Sequence, residues 1–111
     1  MTGVAHSLLG ERFILAPLLR RAELPHLFGG QAFTRGTLRF GWHLATVAWW
    51  GTAALLFALA VQPPSPRAIA RILSVTFAVS AAVACGISRG RHLSWVAFLA
   101  VAVAAWHGAG A

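Results

Sequence analysis

The chain of 111 residues is 59% hydrophobic and only 10% charged, with a formal net charge of +7. Soluble domains carry about 25% charged residues, so this composition excludes an ordinary soluble domain and indicates a membrane protein. All basic residues are arginines that flank apolar segments without forming a basic face interleaved with aromatics, which argues against nucleic acid as a partner. The absence of lysine, together with abundant alanine and glycine, is typical of a GC-rich bacterial genome.

The first predicted element is a helix over residues 3–19, in which His6, Glu11 and Arg12 interrupt an apolar pattern. Its apolar part is too short for a helix that spans a bilayer against lipid, which takes about 20 residues. Three interpretations stay open: an amphipathic helix in the membrane interface, the end of a spanning helix whose polar residues face a bundle, or a helix whose start lies upstream of this chain. We expect it to pack against the bundle. A connector over residues 20–36 follows.

Three longer apolar segments come after the connector. Residues 37–61 carry no Lys, Arg, Asp or Glu after Arg39 and are apolar at nearly every position. Because about 20 helical residues at about 1.5 Å each cross a ~30 Å hydrocarbon layer, this segment is predicted to span the membrane. Two further spans are predicted over residues 67–88 and 92–107, of which the last is short for a span.

These segments predict an all-α fold, a single integral membrane domain over residues 1–111 in which three spanning helices and the N-terminal helix form a bundle. The arginines are distributed unevenly about the spans: seven lie on the side of the 20–36 connector and two, Arg67 and Arg71, on the other. By the positive-inside rule the connector is cytoplasmic and the C-terminus periplasmic, in the inner (cytoplasmic) membrane of a bacterium.

Small residues and tryptophans within the spans indicate where helices pack. Small residues at helical spacing let two backbones approach closely, and packing is the main attraction between helices in lipid. The central tryptophan pair lies about 10–12 Å along the helix from Trp42, too deep for an interface belt, so we interpret it as a packing surface or, alternatively, a stacking surface for a pigment or quinone. The predicted residues of helix packing or partner contact are Trp49, Trp50, Gly51, Ala54, Ala78, Ala82 and Ala104.

Glu11 is the strongest candidate for a polar site, because an acidic side chain at membrane depth is costly unless it is paired. Its neighbour Arg12 points about 100° away on a helix and is a poor partner. Arg39 and His43 are four residues apart and share a face of the central helix, so both can be aimed at one carboxylate. We therefore expect Glu11 to be largely buried and in contact with Arg39 or His43, as a structural ion pair or as a proton or cation site. The remaining alternative is an interfacial acid in water.

The histidines and the single cysteine, Cys85, form no recognisable metal motif. No histidine pair has the i, i+4 spacing of a zincin helix and no cysteine joins them, so no metal is predicted. His6 and His43 are a weak exception, since on facing helices they could supply the two axial nitrogens of a b-type haem; histidines at the membrane interface are the ordinary alternative. Because no nucleophile elbow, P-loop or dinucleotide fingerprint is present, we predict that the chain is not an enzyme and assign no cofactor.

The segments AHSLLGERF and TLRFGWHLATVAWWG resemble a set of small uncharacterised bacterial inner-membrane proteins, which carry a His-[ST]-x-x-Gly-Glu-Arg segment and an Arg-Phe-x-Trp-His helix with a tryptophan pair. The resemblance covers His6–Arg12 and Arg39–Trp50 and implies no particular activity. The chain also resembles small multidrug resistance antiporters in its size and in the acidic residue of its first helix. The aromatic motifs of their substrate chamber are not recognisable here, so this second likeness is one of size and charge only.

Three functions are compatible with these features. The first is an accessory or interaction subunit of a larger membrane complex, or a homo-oligomer, with lipid and other membrane subunits as partners. The second is a small proton-coupled transporter or channel in which Glu11 titrates beside His43. The third is a haem- or pigment-binding membrane subunit. The first best explains the missing catalytic motifs, the small-residue stripes and the mid-helix tryptophans.

Overall fold

The computed structural model describes residues 1–110, which form an all-α fold, and the predicted fold class is confirmed at that level. An N-terminal helix is built of three consecutive parts, and three further helices follow it. In chain order the elements are α1 (Thr2–Gly10), a π-helical turn (Glu11–Leu15), α2 (Ala16–Leu19), α3 (Gln31–Val61), α4 (Pro66–Ser88) and α5 (Ser94–Gly110).

The N-terminal helix, formed by α1, the π-helical turn and α2, is continuous and matches the helix predicted over 3–19. Gly10 and Ala16, which flank the π-helical turn, both keep right-handed helical dihedral angles. Pro17 explains the irregular turn, because in a regular α-helix its ring would clash with the carbonyl of Phe13 and its missing N–H would leave that carbonyl unbonded. A wider turn relieves that clash.

The central helix begins earlier than the sequence predicted, at Gln31 rather than residue 37, so the connector is shorter than expected. Side chains of its first turn bond back to connector carbonyls: Gln31 Nε2 donates to Leu24 at 3.1 Å and Thr34 Oγ1 donates to Pro25 at 2.7 Å. These bonds satisfy connector carbonyls that would otherwise lack partners, and they anchor the extra turns of helix.

A tight turn joins α4 to α5. Arg89 and Gly90 take left-handed conformations, with φ of 53° and 74°, and the Gly90 N–H donates to the Cys85 carbonyl at 2.8 Å. This closing bond is typical of a Schellman-type helix end. The last helix begins at Ser94 rather than at residue 92, because His92 lies in the turn, where its Nδ1 contacts Ser94 Oγ at 2.8 Å.

The helices pack side by side with α4 between α3 and α5, while α1 lies against α3. The Cα atoms span 50 × 28 × 15 Å, so the assembly is flat. A flat layer of helices has little interior, and the buried apolar side chains are accordingly few and mostly small. They are Leu15, Leu19, Phe40, Val47, Ala81, Ala84, Ala102 and Ala109.

Most of the small residues predicted for helix packing or partner contact lie outside the contacts within the chain. Ala78 and Ala82 of α4 and Ala104 of α5 are exposed, as is Ala54 of α3. The face of α4 that packs instead carries Ser74, Ser80, Ala81, Ala84 and Ser88. The serines mark the packed face of α4, whereas the prediction relied on alanines, which are abundant on every side of the helix.

Gly51 is the member of the predicted packing set that approaches α4. A Cβ added there would lie 2.5 Å from Oγ1 of Thr76 in α4. The contact needs a residue without a side chain, and it brings the backbones of α3 and α4 close together.

Two helices, α3 and α4, are long and apolar enough to cross a membrane by length and composition. The third predicted span, α5, is apolar but has only 17 residues, fewer than the about 20 that a bilayer requires. Many large apolar side chains lie on the outside of these helices, including Leu56, Phe57, Leu59, Val75 and Trp106.

Candidate functional site

The candidate site lies where the N-terminal helix packs on the first half of α3. Arg39, His43 and Thr46 follow one another at intervals of four and three residues, which places them on one face of α3. Ser7 and Glu11 are four residues apart and share the facing side of the N-terminal helix. The two polar stripes therefore meet in a contact between helices that are otherwise apolar.

Glu11 accepts contacts from both predicted partners. Arg39 Nη2 lies 2.9 Å from Glu11 Oε1, and Arg39 Nε donates to Oε2 at 3.3 Å, so the guanidinium holds both carboxylate oxygens. His43 Nε2 lies 3.2 Å from the same Oε2. The predicted proximity of Glu11, Arg39 and His43 is therefore found in the structure. Its predicted burial is not: the Glu11 side chain is 36% exposed, because it sits at the edge of the contact between two helices.

A chain of hydrogen bonds continues from His43 into the contact between the helices. His43 Nδ1 lies 2.8 Å from Ser7 Oγ, which lies 2.7 Å from Thr46 Oγ1. Thr46 Oγ1 donates to the carbonyl of Gly3 at 3.0 Å. Four groups from two helices are thus connected in one line that ends on a buried backbone carbonyl.

The protons of this line can be counted. Because Thr46 gives its hydrogen to Gly3, the Ser7 hydroxyl must donate to Thr46, and Nδ1 of His43 must then donate to Ser7. One further proton is needed between His43 Nε2 and Glu11 Oε2, either on the imidazole or on the carboxyl group.

Trp42 fixes the N-terminal helix beside this line. Its ring stacks on His6 with centroids 4.4 Å apart, and its Nε1 donates to the His6 carbonyl at 3.0 Å. A Cβ at Gly10 would overlap the Trp42 indole, and one at Gly3 would lie 2.9 Å from Trp50 Nε1. Gly3, Gly10 and Trp42 were not predicted as packing residues, although the spacing of Gly3, Ser7 and Gly10 is that of one helix face.

Trp49 and Trp50 are about half exposed, at 46% and 51%. The rings of Trp49 and His6 meet edge to face with centroids 4.8 Å apart, and Trp50 lies against Gly3, so one side of each indole packs within the chain. Both tryptophans therefore contact the N-terminal helix on one side. The outward sides of both rings remain uncovered by the residues 1–110.

The weak haem hypothesis does not fit this arrangement. Both ring nitrogens of His43 already contact Ser7 and Glu11, and His6 is stacked on Trp42 with its Nε2 3.2 Å from the Trp42 carbonyl. An iron between the two rings would have to break these contacts. Within residues 1–110, no group of three or more His, Cys, Asp or Glu side chains is placed to hold a metal ion.

No family model, no curated protein and no solved structure matches the chain. Function must therefore be argued from the geometry of the residues themselves.

Proposed function

We propose that the chain is a multi-pass protein of the bacterial inner membrane that acts as an accessory or interaction subunit, either within a larger membrane complex or as a homo-oligomer. Its outer surface supports a membrane location, since water would be a poor solvent for the exposed leucine, phenylalanine and valine side chains of α3, α4 and α5. The excess of arginine about the 20–36 connector supports a cytoplasmic connector and a periplasmic C-terminus.

The observation that carries the interaction role is the half-exposed pair Trp49 and Trp50 in the middle of α3. An indole has a polar N–H, and tryptophans prefer the membrane interface unless a protein partner covers them. The exposed alanines Ala54, Ala78 and Ala82 leave the neighbouring helix surfaces smooth enough for another helix to approach. Another subunit could pack on such a surface of the flat helical layer and cover the exposed tryptophan rings.

The experiment compares two tryptophan variants after extraction in a mild detergent. Trp49→Ala combined with Trp50→Ala should reduce recovery of the oligomer or of the co-purifying subunit. Trp106→Ala is the matched control, because Trp106 is 56% exposed but lies near the end of α5. Equal assembly of both variants with the unmodified chain would argue against the tryptophan pair as the contact.

A second candidate function is a small proton-coupled transporter or channel, and the line of hydrogen bonds from Glu11 through His43 and Ser7 favours it. Polar lines of acid, histidine and hydroxyl groups carry protons in transport proteins. The line from Glu11 to Gly3 covers about 12 Å of helix, from eight residues at about 1.5 Å each. Glu11→Gln in reconstituted vesicles should abolish proton or cation flux, and unchanged flux would eliminate this function. The two-oxygen contact with Arg39 favours the structural role, because a titrating acid must release its partner.

A further inference from the structure

Four arginines converge at one end of the helical layer. Arg35 and Arg39 from the start of α3, with Arg89 and Arg91 from the turn between α4 and α5, line a cavity of about 290 Å³. The early start of α3 creates this cavity, because it places the first helical turns beside that turn. Phe33 stacks on His92 with centroids 5.3 Å apart and fixes the two segments against each other.

The positive charge of this cavity is only partly balanced. Arg39 is paired with Glu11, whereas Arg35 contacts the neutral side chain of Gln31, at 2.8 Å. Nε of Arg35 is buried with no hydrogen-bond partner among residues 1–110. A buried guanidinium donor without an acceptor is costly, and a bound anion with several oxygens is the natural acceptor.

An apolar cavity adjoins the arginine cavity. It has a volume of about 710 Å³ and is lined mainly by Leu27, Phe28, Phe33 and Leu93. Ala32, Phe33 and Arg91 line both cavities, so the two are neighbours. A ligand that filled both would carry an anionic group at one end and a hydrocarbon chain at the other.

We propose that these two cavities together bind one anionic phospholipid, with its phosphate on Arg35, Arg89 and Arg91 and an acyl chain against Phe28 and Phe33. Basic pockets between helices on the cytoplasmic side of a membrane bind such headgroups. The proposal rests on the membrane location proposed above, but not on any partner subunit. Loss of lipid binding and loss of oligomerisation are therefore distinguishable results.

The test measures lipid binding to the full chain in a neutral detergent by native mass spectrometry, with phosphatidylglycerol as the probe. One phosphatidylglycerol should be retained per chain, and phosphatidylcholine should bind more weakly because it has no net charge. Arg35→Gln should weaken phosphatidylglycerol binding by roughly tenfold or more, since a hydrogen bond to a charged group is lost. Inorganic phosphate, added alone as a competitor, should displace little lipid.

Two further variants make the test decisive. Arg91→Gln removes a charge from an exposed side chain, so it should weaken binding without disturbing the fold even where Arg35→Gln does. Arg67→Gln combined with Arg71→Gln removes two charges at the opposite end of the helices and should leave binding unchanged. Equal binding by Arg91→Gln and the unmodified chain would overturn the site. Equal binding of phosphatidylcholine, or full displacement of the lipid by inorganic phosphate, would overturn its assignment to an anionic lipid.

Discussion

Arg39 contacts both carboxylate oxygens of Glu11, which lies 28 residues earlier in the sequence. Its Nη2 lies 2.9 Å from Oε1, and its Nε donates to Oε2 at 3.3 Å. The contact ties the N-terminal helix to α3 at the point where the π-helical turn begins. Both side chains are more than a third exposed, so the pair is stabilising without being a buried charge pair. This intermediate exposure sets the size of the effects expected on breaking it.

Glu11→Ala should lower the free energy of unfolding by about 1 kcal/mol, because it removes the acceptor of Arg39 and the partner of His43. The loss should stay well below the about 3–5 kcal/mol of a broken buried pair. Glu23→Ala is the control, since Glu23 is an exposed connector residue and should change stability little. Thermal unfolding in detergent measures both, and equal stability of the two variants would contradict the pairing.

Gly10→Ala should separate the N-terminal helix from α3, because the added Cβ overlaps the Trp42 indole. Forced overpacking of this kind costs about 1–3 kcal/mol. Gly41→Ala is the matched control: Gly41 is a helical glycine of α3, and apart from its own turns of helix no described atom lies within 4 Å of a Cβ placed there. Intrinsic tryptophan fluorescence during thermal unfolding reports the separation. A Gly10→Ala chain as stable as Gly41→Ala would show that the helices do not pack as described.

Gly51→Ala should loosen the packing of α3 on α4, since its Cβ would lie 2.5 Å from Thr76 Oγ1 and 2.6 Å from Thr76 Cγ2. Thr76→Ala removes both of these atoms and leaves only Thr76 Cβ, at 3.1 Å. The double variant should therefore recover part of the stability lost by Gly51→Ala, giving a coupling energy of about 0.5–3 kcal/mol in a double-mutant cycle. If the effects of the two substitutions on stability were additive, Gly51 and Thr76 would not be in contact.

The polar contacts could be predicted from the sequence better than the apolar ones. Arg39 and His43 share a face because they are four residues apart. An unpaired acid at membrane depth is costly, so Glu11 was expected to contact one of them. Ala78 and Ala82 lie outside the contacts within residues 1–110, because the prediction followed alanines, whereas the face of α4 that packs carries Ser74, Ser80 and Ser88. A polar side chain in such a chain has few possible partners, so its contact can be predicted. Alanines occur on every side of the helices, so the alanines that pack cannot be selected from the sequence.

The remaining misses depend on contacts between segments far apart in sequence. The start of α3 at Gln31 is held by bonds from Gln31 and Thr34 to carbonyls of the preceding connector, which no local propensity encodes. The stacking of His6 on Trp42 requires the N-terminal helix to be docked first. The arginine cavity arises only when the start of α3 and the turn after α4 lie side by side.

We propose above that this chain associates in the membrane with a second subunit, either another copy of itself or a different protein. The most direct measurement is the molar mass of the particle extracted from membranes in several mild detergents, determined by light scattering with identification of every protein present. The account predicts a particle heavier than one chain, either a homo-oligomer or a complex with a second membrane protein. A single chain, alone in every detergent, would contradict it.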